Sequence, residues 1–445
     1  MKFVNTVLAV FSTRIIEKII RQVNSIIISR SLGPGGLGLY TLFFAFAKNL
    51  HTFSEFGLGA SGIYFIRRKL SEEKKIIENS ILFSIVVGIL LSVLVFIFRK
   101  QLGSFLLDDQ SHFILLLSLV IPMIMIATIF STLIRGMKKF KIFNLFTIIK
   151  PFCFLVFIFI GLIIYNGDVI TAIIGQITAI LVSGFWIIYK MKILSSFNIS
   201  FHKKLFYDSF KYGFKQHILK IIMMLLSTSP IYILKVLTSK EIVGQYGIIL
   251  TLLGIISFLK MSISLVLTPE VSEMKDEEVH LFIAKVARNT LFIIFIISFI
   301  ASILGPIYIN FLYGINFAYA SKAFRWFLPG IIFHSICVML HRDFTARENP
   351  VQYKAILAYF FGAVFSILGS YILIYNYSEY PLEALGVSYN LSYLTVLVIL
   401  TSMFVKDSNL QIRQVFVLNN NDRLLYIEMA RSFFKKLKII DYDKK

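Results

Sequence analysis

Acidic side chains are scarce in this chain, where 24 Asp and Glu stand against 45 Lys and Arg. Charge of either sign reaches only 16% of the 445 residues, against about 25% in an average globular chain. That leaves too little polar surface for an ordinary soluble enzyme. Cysteine is nearly absent, and Cys153 and Cys337 both fall inside apolar runs, so a disulfide scaffold is excluded. Paired Cys or His spacings for a metal are missing, as is a Walker A run for ATP hydrolysis, so no cofactor is expected. Strict alternation of apolar and polar residues dominates nowhere, which argues against a membrane β-barrel.

What is present is apolar, with 57% of residues hydrophobic and 45 of them Phe. They gather in runs of ~20, the length that crosses a hydrocarbon core as a helix. Twelve such spans are predicted: Val4–Ile28, Gly38–Phe65, Leu82–Phe98, Phe113–Ile134, Ile142–Tyr165 and Val169–Ile188, then Tyr212–Val236, Val243–Leu267, Val286–Leu304, Phe324–Leu340, Ala355–Tyr375 and Leu385–Val405. The first is not expected to be a cleavable signal, because Arg14, Glu17, Lys18 and Arg21 interrupt the apolar core a signal needs. The expected fold is all-α and polytopic, with six helices in residues 1–205, six in 206–405 and a basic tail over 406–445.

The net charge of +21 would suggest nucleic acid as the partner of a soluble protein. Here the basic residues collect at alternate span junctions instead. One side holds Arg67, Arg68, Lys69, Lys74, Lys75, Arg135, Lys138, Lys139, Lys141, Lys190, Lys192, Lys203, Lys204 and Lys211, together with the tail. The other holds little beyond Arg30, Arg99, Lys100, Lys240 and Lys322. The positive-inside rule then puts both termini in the cytoplasm and removes nucleic acid as a partner. In the tail, Arg431, Lys435, Lys436 and Lys438 alternate with Phe433, Phe434, Leu437 and Ile439, a mixture that suits either a helix on anionic lipid or a solvated end.

The chain carries a faint internal repeat. Arg30-Ser31-Leu32-Gly33-Pro34 leads to Gly38-Leu39-Tyr40 at the second span, and Lys235-Val236-Leu237-Thr238-Ser239 leads to Gly244-Gln245-Tyr246 at the eighth. An even number of spans separates the copies, so the halves enter the membrane in the same direction, as parallel repeats around a central cavity do. Gly33 to Gly38 and Gly57 to Gly62 also match the dinucleotide fingerprint, but neither follows a strand. The first is read as a turn between spans and the second as a close helix contact. Pro122, Pro151, Pro230 and Pro329 are expected to kink spans, with gating hinges as the alternative.

The strongest functional signal is charge within the spans, since an ionised group at the bilayer centre costs at least ~2.5–3.5 kcal/mol. Arg14, Glu17, Lys18 and Arg21 recur at helical spacing, so one face of the first span must meet water or protein. Lys48, His51 and Glu55 repeat the pattern in the second span, and Lys150, Lys215, Lys220, Lys260 and Arg325 add cations elsewhere. Lys215, Lys235 and Arg325 are read as snorkelling or interfacial. The expected cavity is therefore cationic, with Arg14, Lys18, Arg21, Lys48, Lys220 and Lys260 as its anion-binding residues. Glu17, His51 and Glu55 are expected to orient those charges or to exchange protons. Arg and Lys suit the oxygens of a diphosphate whose greasy chain remains in lipid. His217, His334 and His341 are read chiefly as packed side chains, with titration as the alternative.

With these residues in view, the chain resembles the bacterial polysaccharide flippases, the O-antigen and capsule repeat-unit exporters of the multidrug/oligosaccharidyl-lipid/polysaccharide superfamily. The likeness rests on the charged first span, the turn from Leu32 to Tyr40, Phe56-Gly57-Leu58-Gly59, and Val243-Gly244-Gln245-Tyr246. It extends to Thr268-Pro269-Glu270-Val271-Ser272 and Phe311-Leu312-Tyr313-Gly314. The second copy of the turn lacks the Gly-Pro of the first. The resemblance implies two six-helix bundles in the bacterial inner membrane that move undecaprenyl-diphosphate-linked oligosaccharide outward by alternating access. Polysaccharide polymerase machinery is the further partner it implies. Two other readings stay open: an ion-coupled drug or metabolite antiporter, which would favour an acidic cavity, and a membrane transferase acting on a lipid carrier. For the latter, Asp108-Asp109 with His112 is the nearby acidic loop, and it reads as a solvated turn.

Overall fold

A membrane interior offers the backbone no water, so each spanning segment must satisfy its own N–H and C=O groups, which the α-helix does. The computed structural model describes residues 2–68, 72–107, 111–191, 200–274, 276–346, 351–420 and 422, and these are predominantly helical, with no strand among them. Lys69, Asp108, Asp109, Lys192 and the tail from 423 onward lie outside the described residues. The helices of the first half are α1 (Lys2–Ser54), α2 (Leu58–Arg68), α3 (Glu73–Ile97), α4 (Arg99–Leu107), α5 (Ser111–Gly136), α6 (Phe140–Ile158) and α7 (Val169–Lys190). Those of the second are α8 (Lys203–Leu237), α9 (Lys240–Glu273), α10 (Asp276–Tyr313), the short α11 (Ala318–Ala323), α12 (Leu328–Ala346), α13 (Gln352–Asn376), α14 (Pro381–Ser408) and α15 (Ile412–Phe416).

Among the described residues, ten segments are long and apolar enough to cross a bilayer, and they coincide with predicted spans three to twelve. The first two spans are the limbs of α1, which breaks at Gly33. Gly33 adopts a φ of 64°, a left-handed conformation that glycine takes without steric cost, and Pro34 starts the next limb where no backbone donor is needed. About twelve crossing helices in two repeat bundles result.

The second predicted span needs correction. Its helix stops at Ser54 and resumes at Leu58, with Phe56 and Gly57 left-handed at φ of 45° and 73°. The cause is a close approach: the Gly57 backbone lies against the Gly213 backbone of α8, leaving no room for a Cβ on either residue. Pro329 is likewise not a mid-helix kink. It stands at the second position of α12, directly after a 3₁₀ turn over Phe324–Phe327, so the span changes helix type there.

The two ends of the molecule are held differently. At the Gly33 end one continuous apolar core joins the halves, with Ile28, Leu37 and Phe154 packed with Leu234, Tyr246, Tyr313 and Phe327. Of two further cores, one lies in the first half and takes in Leu205 and the edge of Tyr232 from α8, and the other, over residues 219–415, stays within the second half. Gly38 and Gly244, the repeat-related glycines, face each other reciprocally at the joint. A Cβ on Gly38 would overlap the Lys240 carbonyl, and one on Gly244 the Pro34 carbonyl, each four residues before the opposing glycine. The parallel repeat is thus visible as a contact across a pseudo-twofold axis. Arg30 adds two hydrogen bonds to the last carbonyls of α10, those of Phe311 and Leu312, both at 2.7 Å. Gln245 ties α9 to the Asn316 carbonyl at 2.6 Å and accepts from the Ala320 amide at 2.9 Å.

At the Gly57 end the halves meet mainly through rings. Tyr64 stacks on Tyr212 with centroids 4.2 Å apart, and Phe56 touches Phe210 at 6.1 Å. The linker into α8 is pinned to α3, where Glu78 accepts from Ser200 at 2.6 Å and meets His202 at 2.9 Å. After α14 the chain folds back onto α10. Val415 enters the core of the second half, and Arg288 holds both Asp422 and the Gln414 carbonyl, the latter at 3.0 Å. Burial alone would raise the Asp422 carboxyl, but hydrogen bonds from Arg288, Asn289 and the Asn419 amide outweigh it and hold it below its ordinary value.

Two outcomes follow from these contacts. Gly244→Ala should cost about 1–3 kcal/mol and lower the melting temperature in detergent, whereas Gly254→Ala, whose Cβ would meet only Lys18 Nζ at 3.7 Å, should not. Equal melting temperatures for both variants would contradict the reciprocal glycine joint. Because Asp422 is depressed, its stabilisation is present at neutral pH and fades as pH falls below about 4. Hydrogen-exchange protection over 412–417 should drop in that range, and Asp422→Asn should lower it already at pH 7; protection that ignores both changes would contradict the anchoring role.

Candidate functional site

The first limb of α1 runs between α6 and α9. Asn24 donates to the Pro151 carbonyl at 3.0 Å on one side, while on the other Lys18 Nζ donates to the Gly254 carbonyl at 3.3 Å and Phe11 meets Phe258 at 5.8 Å. Ile15, Ile16, Ile19 and Val23 are exposed on the face pointing away from both neighbours. At 100° per residue, Arg14, Glu17, Lys18 and Arg21 therefore occupy the inward face, between α6 and α9. The apolar flank meets lipid and the charged stripe meets the space between the halves.

Within that stripe Glu17 is the anchor. Its carboxylate accepts from Arg14 Nη1 at 2.9 Å and Arg21 Nε at 2.8 Å, and only 10% of its side chain is exposed, against 36% and 45% for the two arginines. The carboxylate is shielded while both guanidinium groups stay open, so an arriving anion meets donors first. Arg14 also lies 5.3 Å from the Phe143 ring, which Arg135 of α5 approaches at 5.5 Å.

The second limb faces the first across the same space. Asn49 fixes it to α8 through hydrogen bonds to Thr228 Oγ1 at 3.0 Å and the Tyr232 hydroxyl at 2.9 Å. Lys48, beside Asn49, is exposed and within electrostatic range of Lys220 on α8. Lys220 is ion-paired with Glu55, in the break between α1 and α2. His51 lies within range of both Lys220 and Lys150, and Lys150 of α6 is in turn within range of Arg21 and Glu17 while sitting 5.9 Å above the Phe44 ring. A connected set of seven basic side chains, Arg14, Lys18, Arg21, Lys48, Arg135, Lys150 and Lys220, thus shares two carboxylates, Glu17 and Glu55.

Five of the six expected anion-binding residues meet here, with Glu17, His51 and Glu55 among them. Lys260 stands apart, buried in the second half, where its ammonium and His334 Nδ1 share a hydrogen bond of 2.6 Å and His334 stacks on Tyr393 at 4.2 Å. Arg135 is the addition that sequence reasoning missed. It sits at a span end among loop lysines, and only the folded chain brings it over the same ring as Arg14.

Comparison with known proteins gives the family and the fold. The family model described as "Polysaccharide biosynthesis protein" matches residues 3–275, and a search of curated proteins gives no match. Among solved structures, an inward-facing multidrug resistance MATE family transporter of the MOP superfamily aligns with a TM-score of 0.73 at 13% identity, over 91% of this chain and 98% of that one. The lipid II flippase MurJ in its inward closed conformation aligns with a TM-score of 0.69 at 15% identity, over 98% of this chain and 99% of that one. A MOP superfamily transporter from Pyrococcus furiosus, for which reverse polarity of the binding pocket suggests a different function, gives 0.67 at 11% identity, over 91% and 95% of the two chains. At these identities the likeness to the solved structures is one of fold.

Proposed function

Since the chain belongs to the polysaccharide biosynthesis protein family, we propose that it is a flippase that carries undecaprenyl-diphosphate-linked oligosaccharide repeat units across the bacterial inner membrane by alternating access. The product would serve a surface polysaccharide such as O-antigen or capsule. The observation that carries this is the inward cluster of basic residues with two carboxylates at a place where charge is costly.

The chemistry follows from the side chains. Guanidinium and ammonium groups give charge-assisted hydrogen bonds to diphosphate oxygens, which the neutral sugars and the hydrocarbon tail cannot replace. Arg14, Lys18, Arg21, Lys48 and Lys220 are assigned to that contact, with Arg135 and Lys150 adding to the field. Glu17 keeps two guanidinium groups oriented between transport cycles. Lys260 is left out of the contact set because His334 engages it. The Gly57 end is assigned to the cytoplasm, since Arg67, Lys74, Lys75, Lys138, Lys139, Lys141, Lys203, Lys204 and Lys211 lie at the span ends there, and both termini follow. Residues 1–205 and 206–405 would move as the two bundles. The carrier makes and breaks no covalent bond, and a cationic drug would find repulsion in this cleft.

Losing one charge-assisted contact of about 1.5–3 kcal/mol weakens binding about tenfold or more. In a deletion strain complemented with Arg21→Ala or Lys48→Ala, surface polysaccharide should fall by that order while protein level holds and lipid-linked precursor accumulates. Normal export from both variants would defeat the assignment.

A further inference from the structure

Resting on the diphosphate assignment above, we propose that Glu55 occupies on Lys220 the position that the passenger's diphosphate takes, so that the passenger releases Glu55 and with it the seam at the Gly57 end. The two carboxylates of the cleft are built differently. Among the described residues, the ion pairs of Glu17 are with residues three before and four after it on its own helix. Glu55 pairs with a residue of the other half, in a break where the backbone is not locked into a helical ladder.

The neighbours of that pair connect it to the seam. Gly57, two residues after Glu55, is the residue whose backbone touches Gly213. On α8, Gly213, His217 and Lys220 follow at four and three residues, so one stripe of a single helix faces the whole break. His217 completes it, with its ring 5.2 Å from that of Phe56. Around it the described contacts across this end are largely ring on ring, Tyr64 with Tyr212 and Phe56 with Phe210, and the apolar core there takes from α8 only Leu205 and the edge of Tyr232, where the core at the Gly33 end draws on both halves throughout. Non-directional ring packing is thereby combined with the directional charged tie of Glu55 to Lys220.

The tie is also open to competition from one side. Of the Lys220 side chain 47% is exposed, whereas only 8% of Glu55 is. An anion can therefore reach the ammonium while the carboxylate stays shielded. Lys48 lies within range of Lys220, so a second ammonium group stands near the one that Glu55 engages. A diphosphate, with several negative charges and more acceptor oxygens, satisfies both cations together, which a single carboxylate cannot do. Displaced from Lys220, Glu55 no longer holds the break against α8.

The test uses the full chain in detergent, with Cys153→Ser and Cys337→Ser removing native thiols and Tyr64→Cys with Tyr212→Cys reporting seam closure through cross-linking by a short bifunctional thiol reagent. Inorganic pyrophosphate is the probe, and its binding is measured separately by equilibrium dialysis. Cross-linking should slow several-fold on adding pyrophosphate. With Glu55→Gln it should be slow from the start and indifferent to pyrophosphate, while Glu55→Asp, which keeps the charge, should retain part of the response. Elution on size exclusion confirms that each variant is folded. If pyrophosphate binds but leaves cross-linking unchanged, or if Glu55→Gln behaves as the parent does, Glu55 is not the displaced anion and the diphosphate assignment survives. If pyrophosphate does not bind at all, that assignment fails and the proposal falls with it.

Discussion

The cost of an unsolvated charge in hydrocarbon is the constraint on which the rest of this structure depends. Four ionisable residues within eight positions of one span cannot face lipid, and the chain meets the problem by rotating that helix so that the stripe looks inward. Its isoleucines take the lipid side, and α6 and α9 take the flanks. Glu17 then offsets two of the cations locally without closing them off. Among the described residues the cations of the cleft outnumber its carboxylates, and a site of that kind is suited to receive anions.

A carrier also needs halves that stay joined while they move. The Gly33 end supplies the joint, with a shared apolar core and two helix backbones in direct contact through Gly38 and Gly244. At the Gly57 end, among the described residues, the core of the first half takes from α8 only Leu205 and the edge of Tyr232. The rings of this end slide or separate at small cost, and its glycine contact lies beside a charged pair that other anions can enter. The cleft sits between a strong end and a weak one, which favours opening toward the weak one.

Much of this was legible in the sequence, because membrane spans depend on apolar length, and a run such as Phe113–Ile134 has little alternative to crossing the bilayer. The inward stripe was legible too, since 14, 17, 18 and 21 share a face in any helix. The break at Glu55 was hidden. Phe56 and Gly57 read as a continuation of the span, and only the approach of Gly213, more than 150 residues away, forces the backbone aside. Arg135 was hidden for a related reason: basic residues at span ends report orientation first, and nothing local marks the one that turns inward. Lys260 looked like a cavity residue by its place in an apolar run, but its partner His334 lies on a different helix, beyond the reach of any periodicity.

The central claim is that the inward face of α1 borders water at positive potential. A cysteine placed at Phe44, whose ring lies beneath Lys150, tests it against one placed at Ile16 on the opposite face of the other limb. In membrane vesicles, an anionic methanethiosulfonate reagent should label Phe44→Cys faster than a cationic one of similar size, by about tenfold or more, and neither should label Ile16→Cys appreciably. Faster labelling of Phe44→Cys by the cationic reagent, or preferential labelling of Ile16→Cys, would contradict the account.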